Sequence, residues 1–151
     1  MPGTPSPRPL RRATHSVQFV EVALDNVQAA KRARRDQDPV GPWATIPRAR
    51  LVRAAEDGTE FVCRIIAVVR TPVTDSQTWR LRLVLDGRFI AERGLTPEEI
   101  HSFQENSAVF VLWPYARSMI GELAAHSGIQ LPPLPLIVRP SAQRFQISSK
   151  I

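Results

Sequence analysis

The stretch Val109-Phe110-Val111-Leu112-Trp113-Pro114-Tyr115-Ala116-Arg117 decides the fold, because it lies in the one long segment with a helical apolar period. Val109, Leu112, Trp113, Ala116, Ile120 and Leu123 recur at 3–4 spacing and form one stripe. The segment opens at Thr96-Pro97-Glu98-Glu99. Thr96 can cap, Pro97 suits the first helical position, and Glu99 completes a capping box. Glu98 and Glu99 read as charges that offset the helix dipole, not as a catalytic pair. Ser127-Gly128 supplies the stop. Pro114 predicts a kink or the start of a second helix.

Upstream the period is that of strands. In residues 77–91, Trp79, Leu81, Leu83, Leu85 and Phe89 share one face, and Arg80, Arg82, Asp86 and Arg88 the other. A sheet with one wet face produces that alternation, and Gly87 marks a bulge or bend. In residues 59–70, Phe61, Cys63, Ile65, Ala67 and Val69 share a face. A turn at 71–76 joins the two runs. Asp57-Gly58 predicts a tight hairpin with positive φ at both central positions, preceded by a short strand over 48–55. Residues 16–28 read as a strand from their β-branched run, although Ala and charge over 20–33 leave helix possible. Pro39, Gly41, Pro42 and Pro47 make 36–47 a loop that exposes Trp43. Residues 129–140 alternate prolines with aliphatics and form an extended apolar strip. Residues 1–14, with four prolines, read as a disordered tail. The expected organisation is therefore a tail (1–14), one α+β domain (15–140) and a short C-terminal tail (141–151).

Composition narrows the function. The 151 residues are 43% apolar, enough for a core. No apolar run reaches the ~18–20 residues of a membrane helix, and Glu21 and Asp25 interrupt the only stretch resembling a signal sequence. Cys63 is alone, which fits a reducing, cytoplasmic setting and a buried small hydrophobe. His15, His101 and His126 lack metal-ligand spacing, and no phosphate loop or nucleophile elbow is present. The expectation is no enzyme, no metal and no cofactor. The net charge is +6, with ten Lys/Arg against four Asp/Glu in residues 1–53 and ten against ten thereafter. No aromatic residues interleave with the bases, which disfavours a nucleic-acid-binding protein.

Two segments resemble the bacterial export chaperone SecB and its toxin–antitoxin-associated relatives. Val111-Leu112-Trp113-Pro114-Tyr115-Ala116-Arg117 is similar to that family's helix motif. Gln130-Leu131-Pro132-Pro133-Leu134-Pro135-Leu136 is similar to its proline-containing loop. Trp43 stands where the family has a crossover-loop tryptophan. The resemblance implies a four-stranded antiparallel sheet with a long helix on one face, assembled as a homotetramer, a dimer of dimers. It implies an ATP-independent holdase for unfolded polypeptides, in protein export or with a dedicated client such as an antitoxin. Client contacts would fall on Trp43, Phe110, Trp113, Leu131, Leu134, Leu136 and Val138. Leu112, Ala116, Ile120 and Leu123 would be oligomer interface, and plain core burial is the competing reading for the helix residues. The family's acidic tail is replaced by Ser148-Ser149-Lys150-Ile151, which disfavours docking to the SecA motor. The alternative function is a module that assembles with a single folded partner.

Overall fold

The computed structural model describes residues 17–38, 41–46, 48–131, 133–134 and 143–146. The segment read as an N-terminal tail lies outside them. Six strands form one antiparallel sheet: β1 (Val17–Ala33), β2 (Trp43–Ile46), β3 (Arg50–Ala54), β4 (Glu60–Pro72), β5 (Gln77–Ala91) and β6 (Gln143–Gln146). The order is β1-β5-β4-β2-β6, with β3 also on β4. β1, β3, β4 and β5 are the four expected strands. β2 and β3 share the same flank of β4, β2 against Val68–Arg70 and β3 against Phe61–Arg64. β6 extends the sheet beyond β2, from within the stretch read as a C-terminal tail.

Several expectations change. The loop reading of 36–47 fails at Trp43–Ile46, because the β-favouring run Trp-Ala-Thr-Ile pairs with β4 despite its flanking prolines. β1 runs on to Ala33, past the expected end at 28, because β5 offers partners as far as Gln77. Two register shifts, Phe19/Glu21 and Leu24/Asn26, give β1 bulges that no residue type signalled. The turn before β4 is wider than a two-residue hairpin. Ala55 donates to the Glu60 carbonyl at 2.8 Å, and only Gly58 has positive φ, at 70°. Asp57 Oδ1 replaces the second special conformation by accepting from the Thr59 amide and hydroxyl at 3.1 and 2.6 Å.

The helical half begins with α1 (Pro97–Phe103). Its capping box forms as expected: Glu99 N–H donates to Thr96 Oγ1 at 3.2 Å, and Thr96 N–H to Glu99 Oε2 at 3.3 Å. A π-helical turn over 104–108 leads into α2 (Val109–His126). The interruption thus comes before Pro114, and the chain stays helical through it. Leu112, Trp113 and Ala116, each at most 1% exposed, hold that turn against the sheet. α2 ends in a Schellman motif. Gly128, at φ 69°, donates to the Ala125 carbonyl at 3.1 Å, and Ile129 to Ala124 at 2.8 Å.

α2 crosses β5, β1 and β4 on the apolar face. The core beneath it includes Trp79, Leu81, Leu83 and Leu85 of β5 and Ile65 and Val69 of β4. At one end Phe61, Phe89 and Phe103 form a ring cluster with centroids 4.9–5.4 Å apart. Burying side chains of this size is worth about 1.5–3 kcal/mol each. Cys63 lies in the same layer, and burial pushes its thiol pKa up to about 12.

Gly87 of β5 lies directly beneath Leu112 of α2. A Cβ there would fall on Leu112 Cδ2 and within 3.2 Å of Phe89, both side chains fully packed. Gly87→Ala is therefore expected to lower stability by about 1–3 kcal/mol through overpacking, read as a reduced denaturant midpoint. Cys63, a free thiol buried in the core, is expected to resist iodoacetamide at pH 8 in the folded chain and to react once denaturant is added. Rapid alkylation of the native protein would contradict its placement.

Candidate functional site

The helix motif places its residues on two unlike surfaces. Leu112, Trp113, Ala116 and Ile120 point into the sheet and are between 0% and 1% exposed, so the chain's own sheet covers them. Leu123 is half-buried at the edge of that stripe. Phe110 points away and is 45% exposed, and Tyr115 is 41% exposed. Pro114, Ser118, Gly121 and Ala125 are exposed with Phe110 along the outer side of α2. Glu122 is the single exposed carboxylate of the helix. A helix face turned to water is ordinarily polar or charged, so this one has the composition of a contact surface.

The edge strand adds to it. The Tyr115 ring lies 5.4 Å from Phe19 of β1. Leu24 stands opposite Leu85 on the helix side of β1 yet remains 47% exposed, because the helix does not roof the sheet that far. Val20, displaced by the first bulge, is 40% exposed. The outer edge of β1 pairs with no described strand. Apolar side chains beside an unpaired edge suit an added polypeptide, which can use both the free backbone groups and the side chains.

The other expected contact residues separate. Leu131 is half-buried and packs against the core margin. Leu134 is buried, at 9% exposure. Trp43, read as an exposed loop residue, is 8% exposed in β2, with the Arg70 guanidinium 5.0 Å above its ring. Leu136 and Val138 lie outside the described residues. Phe110 and Leu131 thus keep accessible surface, whereas Trp113 and Leu134 belong to the core and Trp43 is buried beside Arg70 on the opposite face of the sheet. Sequence reading missed Leu24 and Val20, since neither the bulge at Val20 nor the reach of the helix over β1 leaves a mark in the pattern.

The opposite sheet face is ionic. Arg88 donates to Glu21 at 3.1 Å and Glu60 at 3.3 Å, and Arg64 makes a paired contact with Asp86 at 2.7 and 2.9 Å. Hydrogen bonding to Glu60 first, then the nearby carboxylate charges, holds the Arg88 pKa above its usual value, and Asp86 does the same for Arg64. Such part-exposed pairs orient strands more than they stabilise them. Among the described residues no group of three His, Cys, Asp or Glu could hold a metal ion. No described helix is long and apolar enough to cross a membrane.

No family model and no curated protein matches the sequence. The architecture does match a solved structure, the SecB-like chaperone Rv1957 of Mycobacterium tuberculosis in complex with a ChAD peptide from the Rv1956 HigA1 antitoxin. The TM-score is 0.67 at 20% identity, over 87% of this chain and 97% of that one. The chain therefore has the SecB-like α+β fold.

The two surfaces of α2 respond differently to truncation. Trp113→Ala is expected to cost about 3–5 kcal/mol by emptying the core. Phe110→Ala should change stability by no more than about 0.5 kcal/mol. Equal losses in urea denaturation would show that Phe110 is also structural.

Proposed function

We propose that this chain is an ATP-independent holdase that binds unfolded polypeptides on the outer helix surface and the adjoining β1 edge. The observation that carries the reading is the outer side of α2, where Phe110 and Tyr115 are exposed and Glu122 is the single exposed carboxylate. The fold shared with a chaperone whose solved complex contains an antitoxin peptide supports a polypeptide client. Phe110 and Leu131 are the proposed anchors among the described residues, with Tyr115 and Leu24 beside them. Leu136 and Val138 continue the proposed client strip. Trp113 and Leu134 shape the surface from below, whereas Trp43 lies beside Arg70 on the other face of the sheet. The client is an unfolded protein or one dedicated segment such as an antitoxin's.

Assembly of protomers into a homotetramer, a dimer of dimers, belongs to the same reading. Leu112, Ala116 and Ile120 serve there by setting the helix's position, and Leu123, at the stripe's margin, can also meet a neighbour. The site of action is the cytoplasm. Delivery to SecA is not part of the proposal, because the acids of the open sheet face are paired with Arg64 and Arg88 and its other end is rich in arginine.

The test is aggregation of several unrelated denatured proteins with and without the purified chain, in the absence of nucleotide. Suppression of all of them is expected. The Phe110→Ala/Leu131→Ala double variant should bind clients about 10-fold more weakly or worse, since each part-accessible anchor contributes on the order of 1 kcal/mol. Its thermal stability should stay close to that of the wild type. Recognition of one folded protein alone would favour the assembly-module reading. A monomer by native mass spectrometry at micromolar concentration would overturn the tetramer.

A further inference from the structure

The ionic face of the sheet is not uniformly paired. At the end where β1 finishes, cations outnumber acids. Arg80 of β5 is flanked in register by Ala30 of β1 and Arg70 of β4. Arg82 follows two residues along β5, and Arg32 lies one row away on β1, opposite Thr78. Arg35 joins from the turn after β1. Arg32, Arg35, Arg70, Thr78, Arg80 and Asp38 line one shallow depression, and Arg82 lines the adjoining one with Arg32 and Arg80.

Asp38 is the single acid in that lining. It is committed to shaping the rim: its Oδ2 accepts the Arg35 amide at 2.8 Å, and its Oδ1 accepts from Arg70 Nη1 at 3.3 Å. Arg70 is further held by the face of Trp43. The Nε groups of Arg70 and Arg80 are buried and have no hydrogen-bond partner among the described residues. A buried donor left unpaired is costly, more so on a charged group. Burial first, and then the charges of Arg70, Arg32, Arg82 and Arg35, depress the Arg80 pKa. The fold therefore gathers guanidinium groups that repel one another, with the paired end of the same face as its internal contrast.

We propose that this arginine depression is a binding site for a compact polyphosphate-class anion. Guanidinium forks suit phosphate oxygens in charge-assisted pairs. The cations come from three neighbouring strands and lie within about 10 Å across the sheet. A ligand must thus concentrate its charge, as a phosphate chain does. An extended acidic peptide spreads single charges along its length and meets this cluster with one or two of them. A nucleic-acid strand needs aromatic platforms for its bases, and the aromatic residue at hand, Trp43, is covered by Arg70. The site lies on the face opposite α2, so it stands or falls separately from client holding.

The probes are inorganic tripolyphosphate and ATP, titrated calorimetrically into the full-length protein at low salt. Saturable tripolyphosphate binding is expected, weakening steeply as salt rises. Equal affinity for ATP would assign recognition to the phosphates alone, and tighter ATP binding would assign the site to a nucleotide's phosphate chain. Arg80→Met keeps the side-chain volume and removes a crowded charge. It should bind tripolyphosphate at least 10-fold more weakly while being no less stable than the wild type. Arg93→Gln, elsewhere on the surface and paired with Glu99, should bind within twofold of wild type. Absence of saturable binding, wild-type binding by Arg80→Met, or tighter binding of an oligoglutamate peptide than of tripolyphosphate would each overturn the proposal.

Discussion

The seat of Leu112 over Gly87 sets how closely α2 lies against the sheet. Gly87 adds no side chain of its own beneath Leu112, so the helix can sink until Trp113, Ala116 and Ile120 are sealed along with Leu112. The packing is dense enough that a methyl group has no room. Once that stripe is sealed, the helix's other side cannot reach the sheet. Phe110 and Tyr115 stay exposed because the contact that fixes the helix consumes the residues around them. The surface available to partners follows directly from the core.

Much of this was legible in the sequence. The alternation in β4 and β5 fixed which face is buried, and the six residues of the helical stripe all turned inward or to its edge. The Thr96–Glu99 box and Gly128 marked the helical region's ends because caps are local and short-range. The bulges in β1 and the pairing of β2 and β6 were not legible, since they depend on what a distant strand offers. Trp43 shows the limit most clearly. Its proline-rich neighbourhood predicts a loop, but pairing with Arg70 of β4 draws it into the sheet and under a guanidinium. The functional residues split on the same line. The helical period set Trp113 in the stripe and left Phe110 off it, whereas the resemblance grouped both as client contacts; Phe110 is the one of the two that stays exposed.

The two faces of the sheet have different physics. The helix side relies on apolar area and shape, which tolerate many partners because burial is non-directional. The open side relies on charge. At one end Glu21, Glu60, Asp25 and Asp86 balance Arg88 and Arg64. At the other end Arg32, Arg80 and Arg82 have no comparable balance. A polypeptide held on one face need not compete with an anion on the other, and salt should affect the two kinds of binding very differently.

The central claim is that clients occupy the outer side of α2 and the β1 edge. Hydrogen exchange read by mass spectrometry, on the protein alone and saturated with a denatured client, tests it most directly. The account predicts new protection along β1, whose outer edge has no described partner, and across the loop that follows α2. The amides of β4, which lies between β5 on one side and β2 and β3 on the other, should not change. Protection confined to the strand ends that carry Arg70 and Arg80, with β1 unaffected, would contradict the account.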